Sequence, residues 1–163
     1  MIHPVYTDKG GYRQFGTKRS GALFSDKYYH LGYDYNVPKG TTVRAITKGV
    51  VVYAGQMSGF GSLFPSTDGG CVIIKHDIAD EIYYGVYGHL DNIQVGIGEL
   101  VVECDYIGNV NGFTSNSVLL PHLHFGLYKN DRCRYRKLGY DTSIDKFIDP
   151  IKFLKEKGAK WFK

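Results

Sequence analysis

Four of the six histidines, His30, His89, His122 and His124, stand beside other potential ligands or at the ends of stretches with strand character. In His122-Leu123-His124-Phe125, extended backbone sends both imidazoles to one face and both apolar side chains to the other. Two imidazoles backed by apolar groups suit a metal site seated on a core, although the pattern also fits a solvated sheet face. His30-Leu31-Gly32-Tyr33-Asp34 adds a histidine and a carboxylate four residues apart. Gly32 and the nearby tyrosines disfavour a helix, and in extended backbone the even spacing puts both groups on one side. Taken alone, that pair reads more simply as a hydrogen-bonded turn. Combined, two histidines and an aspartate meet the needs of catalytic zinc, which takes three protein donors at about 2.0–2.2 Å and leaves a fourth position to water. His76, at the end of an apolar run, reads as a local hydrogen-bonding group, and His3 as an exposed residue.

These groups must be positioned by strands. Twenty-one glycines, fourteen tyrosines and short Val/Ile/Tyr runs punctuated by Gly, Asn and Asp predict a mainly β fold, an antiparallel sheet or sandwich with a few short helices. Thr41–Ile46 and Val50–Ala54 read as a hairpin turning at Lys48-Gly49. Cys71–His76, Ile82–Tyr87, Leu100–Glu103 and Tyr106–Val110 read as further strands of a meander, and His122–Tyr128 as the final strand. The stretches Gly55–Gly70 and Asn111–Pro121 read as loops flanking one groove. Residues 1–29 read as a loop-rich entry. Asp149-Pro150 ahead of Ile151, Phe153 and Leu154 reads as an N-cap with proline in the first turn of a short helix.

With 163 residues, 43% of them hydrophobic, the chain has the size of one domain with a real core. The net charge of +4 comes from dispersed lysines and arginines without the stripe that a phosphate backbone demands, which argues against nucleic acid. Cys71, Cys104 and Cys133 form no close pair, so the redox compartment stays open. No apolar run has the length of a membrane span and none at the start resembles a signal peptide, so either a signal has been removed or export takes another route.

In order, His30-x-Gly32-x-Asp34, Tyr87-x-His89-Leu90 and His122-x-His124-Phe125 resemble the motifs of lysostaphin-type and LytM-type peptidoglycan endopeptidases. Val37-Pro38-Lys39-Gly40-Thr41-Thr42-Val43 with Ala45 and Gly49, the glycine-spaced strands of Val95–Gly108, Phe15-Gly16 and Asp149-Pro150 extend the resemblance over roughly residues 13 to 154. The resemblance implies a sheet with a metal-floored groove and zinc held by His30, Asp34 and His124. It implies His122 and His89 as the catalytic histidines, His122 as general base and His89 either donating to the oxyanion or sharing the proton work. Tyr87 and Tyr33 become candidate groove walls, with core packing as the alternative. The implied substrate is a peptide of peptidoglycan, in stems or cross-bridges, and the implied location is the cell envelope, periplasmic or extracellular. Two departures touch the surroundings of the site: Leu119-Leu120 stand where a small residue and glycine commonly precede Pro-His, and Gly126 where many members carry glutamate. Two rivals remain at this level: a non-catalytic wall-binding adaptor of the same fold, and a lipoyl- or biotinyl-like carrier with Lys48 at a hairpin tip, which lacks the flanking methionines of the biotinyl type.

Overall fold

The computed structural model describes residues 1–18, 28–57, 60, 69–112, 120–129 and 138–162. Its elements are β1 (Tyr29–His30), β2 (Gly32–Asn36), β3 (Thr42–Arg44), β4 (Gly49–Gln56), β5 (Gly70–Ile78), β6 (Glu81–Asp91), β7 (Leu100–Val101), β8 (Tyr106–Val110), β9 (His122–Tyr128), β10 (Tyr140–Asp141), β11 (Phe147–Ile148) and α1 (Pro150–Glu156). Nine strands form one sheet along the path β11-β9-β6-β5-β4-β7, with β2 added on β9 and β8 joining β6 to β3. Every strand pair is antiparallel. The β5–β6 hairpin turns at Ala79 and Asp80, both at positive φ, the turn geometry whose twist matches that of paired strands.

The strand His122–Tyr128 appears with the expected limits, but it is not the final strand, since β10 and β11 follow. The expected hairpin of Thr41–Ile46 with Val50–Ala54 does not form: β3 pairs with β8, and β4 with β5 and β7. The backbone groups a hairpin turn would use are committed elsewhere. Ile46 N–H donates to the Tyr87 hydroxyl at 3.1 Å, and Lys48 O accepts from His76 Nδ1 at 2.9 Å. The connection is thereby drawn inward as a corner.

The sheet buries apolar groups on both faces, as strand alternation requires. On one, Tyr35, Val72, Ile74, Tyr87, Leu123, Phe125 and Leu127 meet Phe153 and Leu154 of α1. That helix is held as its sequence predicts, Asp149 Oδ1 accepting from Ile151 N at 3.0 Å and Lys152 N at 3.1 Å, with Pro150 in its first turn. On the other face Leu31, Phe60, Cys71, Ile73, Val86 and Tyr128 form a second cluster with Leu138 and Phe147. The histidines of the site sit on this second face. His3 departs from expectation: it is buried, stacked on Trp161 at 3.7 Å and bonded to the Tyr35 hydroxyl at 3.1 Å.

His76 is fully buried in a slot left by two glycines, since a Cβ on Gly49 would lie 2.8 Å from its Nδ1 and one on Gly85 3.1 Å from its Nε2. Burial lowers its pKa to about 4. Between pH 6.5 and 4 the unfolded chain then binds a proton that the folded chain refuses, so stability is complete above about 6.5 and falls as pH drops toward 4. The loss from this one group is on the order of 3 kcal/mol. Urea midpoints of the chelated protein should fall over that window, and less steeply in His76→Gln. Equal pH slopes for the two proteins would refute the assignment.

Candidate metal centre and its flanking histidines

Strand register builds the centre. In the β2–β9 ladder Asp34 lies directly opposite His124, and Asn36 opposite His122, so one face carries the carboxylate and both imidazoles. His30, just ahead of β2 in β1, completes the group. Asp34 Oδ1 lies 3.0 Å from His30 Nε2 and 3.0 Å from His124 Nδ1, and the two nitrogens are themselves 3.0 Å apart. All three residues are buried. Gly32 is required for this approach, because a Cβ there would stand 2.7 Å from His124 Nε2 and 2.5 Å from Phe125 O.

Hydrogen bonding cannot satisfy this triangle. His30 Nδ1 faces Gln14 O at 3.0 Å, so its one N–H is donated there and Nε2 turns a lone pair inward. Burial pushes the Asp34 carboxyl up, but hydrogen bonds and charge from His124 and His30 outweigh it and hold it well below the usual carboxylate range. Burial lowers His124 to about 4. At neutral pH an anionic oxygen, the neutral imidazole of His124 and the inward lone pair of His30 thus converge with at most one hydrogen among them. A cation resolves what a proton cannot: the edge of a tetrahedron about zinc with bonds of about 2.0–2.1 Å is about 3.3 Å. The donor set, two nitrogens and a carboxylate oxygen, fits that ion.

His122 and His89 flank the triangle, their rings 4.5 Å apart. His122 Nε2 lies 3.8 Å from Asp34 Oδ2, and its Nδ1 faces Leu120 O at 2.8 Å. His89 Nδ1 faces Phe60 O at 2.7 Å. Donation of Nδ1–H to a carbonyl fixes the tautomer in both and makes Nε2 the lone-pair nitrogen. Burial, with charge from His122 and His124, lowers His89 to about 3. The side chain of His89 arrives by an unusual route. Gly88 opposes Cys71 and Leu90 opposes Gly70, leaving His89 as an extra residue with φ of 62°. This bulge re-aims a side chain that alternation would send into the core beside Tyr87.

Tyr87 and Tyr33 do not line a groove at the centre. Tyr87 is fully buried on the opposite face, 5.1 Å from the Phe125 ring. Tyr33, opposite Phe125 in the ladder, leans on Tyr35 at 4.8 Å. Tyr33 points away from Asp34 because adjacent residues on a strand face opposite ways, and Tyr87 does so because it pairs with Phe125 on the same face as Tyr33. Most of the two flanking loops, residues 58–59, 61–68 and 113–119, and with them Leu119, lie outside the described residues, as does Cys133. A depression of about 340 Å³ lined by Lys75, Glu81, Ile82, Tyr84 and Lys129 contains none of the site histidines. Sequence reasoning missed Tyr12, whose ring lies 6.0 Å from that of His122, and Tyr140, 5.2 Å from His30. It also missed the carbonyls of Gln14, Phe60 and Leu120, which no side-chain type announces. His124 Nε2 has no partner among the described residues, and the residue beside it is Gly126, where a Cβ would stand 3.6 Å away.

An antiparallel sheet carrying a His-Asp-His triangle and two oriented imidazoles is the architecture of a metal-dependent hydrolase. Residues 28–135 match peptidase family M23, and the chain belongs to that family. It is 32% identical over 130 residues to the uncharacterized lipoprotein YgeR of Escherichia coli, covering 79% of this chain and 41% of that protein. It is 33% identical over 108 residues to the peptidoglycan DD-endopeptidase ShyC of Vibrio cholerae, covering 63% of this chain and 22% of that one. The chain thus spans less than half the length of either relative. The solved catalytic domain of the antimicrobial peptidase lysostaphin from Staphylococcus simulans superposes with a TM-score of 0.61 at 27% identity, covering 89% of this chain and 91% of that one. The fold is lysostaphin-like.

Proposed function

We propose that this chain is a zinc-dependent endopeptidase that hydrolyses peptide bonds in the stems or cross-bridges of bacterial peptidoglycan, the whole chain acting as one metallopeptidase domain. The observation that carries the reading is the 3.0 Å triangle of His30 Nε2, Asp34 Oδ1 and His124 Nδ1, flanked by two imidazoles whose lone-pair nitrogens are fixed. Family membership and the peptidoglycan endopeptidase relative support the substrate class. The lipoprotein relative supports a place in the cell envelope, and no helix among the described residues is long and apolar enough to cross a membrane.

Zinc held by His30, Asp34 and His124 would polarise the scissile carbonyl and lower the pKa of a water from about 15.7 toward about 7. The chain's own groups then manage protons. His122 Nε2 takes a proton from the attacking water and returns it to the leaving amine, with Leu120 O holding the ring in the tautomer that can do so. His89, neutral and with Nδ1–H committed to Phe60 O, presents an acceptor nitrogen. That favours sharing the proton work over donating to an oxyanion.

The test is digestion of purified peptidoglycan with products read by mass spectrometry, comparing zinc-loaded protein, chelated protein and His122→Ala. New peptide ends that need zinc and vanish in the variant are expected, and they would identify the bond. Stoichiometric zinc with no new ends from walls of several bacterial types would replace this reading with the adaptor.

A further inference from the structure

Residues 12–17 run beside β1 and β2 as an irregular added strand. Tyr12 N–H donates to Asp34 O at 2.7 Å, Asp34 N–H to Arg13 O at 2.9 Å, Gly16 N–H to His30 O at 2.8 Å and His30 N–H to Thr17 O at 2.9 Å. Arg13 and Asp34 are directly opposed antiparallel partners, so their side chains leave the sheet on the same face. Tyr140, from β10, is the register partner of His30. Arg13 reaches to it, donating Nη1–H to the phenol oxygen and lying 5.8 Å over the ring.

Among the described residues nothing neutralises the charge of Arg13. No carboxylate among the described residues pairs with it, and the Asp34 carboxylate opposite is occupied by histidines. A guanidinium has five N–H donors in a planar fork matched to a carboxylate, and Arg13 uses one of them on Tyr140. The phenol thus holds a cation at the edge of the centre, on the His30 side, with most of its donors given no partner among the described residues.

We propose that Arg13, positioned by Tyr140, anchors a free carboxylate of the stem peptide next to the scissile bond, so that the site selects acid stems over amidated ones. The proposal rests on the peptidase reading above. Stem peptides carry two carboxylates of this kind, the α-carboxylate of D-glutamate and the terminal one, and the same fork serves either.

Three synthetic tetrapeptides, L-Ala-γ-D-Glu-L-Lys-D-Ala as the acid, as its terminal amide and as its D-glutamate amide, would be titrated calorimetrically into the zinc-loaded full chain, Arg13→Gln and Arg13→Lys. One of the two amides should bind about 10- to 100-fold more weakly than the acid, the loss expected of a charge-assisted bidentate contact. Arg13→Gln should bind the acid as weakly as that amide and bind the amide unchanged. Arg13→Lys, a point charge without the fork, should recover part of the gap. Zinc content should be equal in all three proteins. Equal binding of acid and both amides by the unsubstituted chain, no measurable binding of any of them, or a loss in Arg13→Gln that is the same for every peptide would overturn the anchor. Discrimination without cleavage of peptidoglycan would instead retain the anchor and reject the peptidase, and cleavage without discrimination the reverse.

Discussion

Asp34→Asn is expected to lose zinc without losing the fold. Asparagine keeps the shape of the carboxylate but removes the negative charge from the triangle, and its amide can donate to His30 Nε2 and His124 Nδ1, turning the lone pairs that would face a cation into satisfied acceptors. Outer-shell substitutions at metal sites typically cost 10- to 100-fold in affinity. Removal of a direct ligand should exceed that, so a loss of more than about 100-fold is expected in competition titrations against a chromophoric chelator. The melting temperature of the unsubstituted protein should rise with zinc by mass action, while that of the variant should not respond. Chelated, the variant should melt no lower than the unsubstituted chain, since its buried donors and acceptors are better matched. Zinc affinity within tenfold of the unsubstituted protein would remove Asp34 from the ligand set.

His122→Ala and His89→Ala should separate chemistry from metal binding. A positioned acid–base group contributes about 10²- to 10⁴-fold, so kcat on peptidoglycan fragments should fall by that range in each, with zinc affinity held within about tenfold. Because the two rings lie 4.5 Å apart beside one centre, the double variant should lose far less than the product of the two single losses. Loss of zinc in His122→Ala as complete as in Asp34→Asn would make His122 a ligand and dissolve the distinction drawn between it and His124.

Sequence alone went far for β9, because alternating imidazole and apolar side chains directly behind a proline mark an extended run from local chemistry. It also put His30 and Asp34 on one side of an extended segment. It could not place Asp34 opposite His124, since that register joins residues ninety apart and only the folded sheet defines it. His89 and Tyr87 show one local cause with two effects. On a flat strand the two would share a face. The bulge at His89 breaks the alternation, leaving the histidine at the centre and the tyrosine in the core. Tyr33, at odd spacing from Asp34, belongs to the other face, in line with the packing alternative. The false hairpin at Lys48-Gly49 came from treating a short connection as self-contained, when His76 and Tyr87 claim its backbone from across the sheet.

Three of the site's histidines are oriented by main-chain oxygens, from Gln14, Phe60 and Leu120. Every amino acid supplies that oxygen. Orthologues could therefore drift freely in residue identity at Gln14 and Leu120, and a point-mutation scan would score those positions as permissive. Insertion or deletion is a different matter: one residue more or less in these segments shifts the carbonyl by a full step of the chain and releases the imidazole it aims. The evolutionary signature of this centre should be segments variable in composition but constant in length.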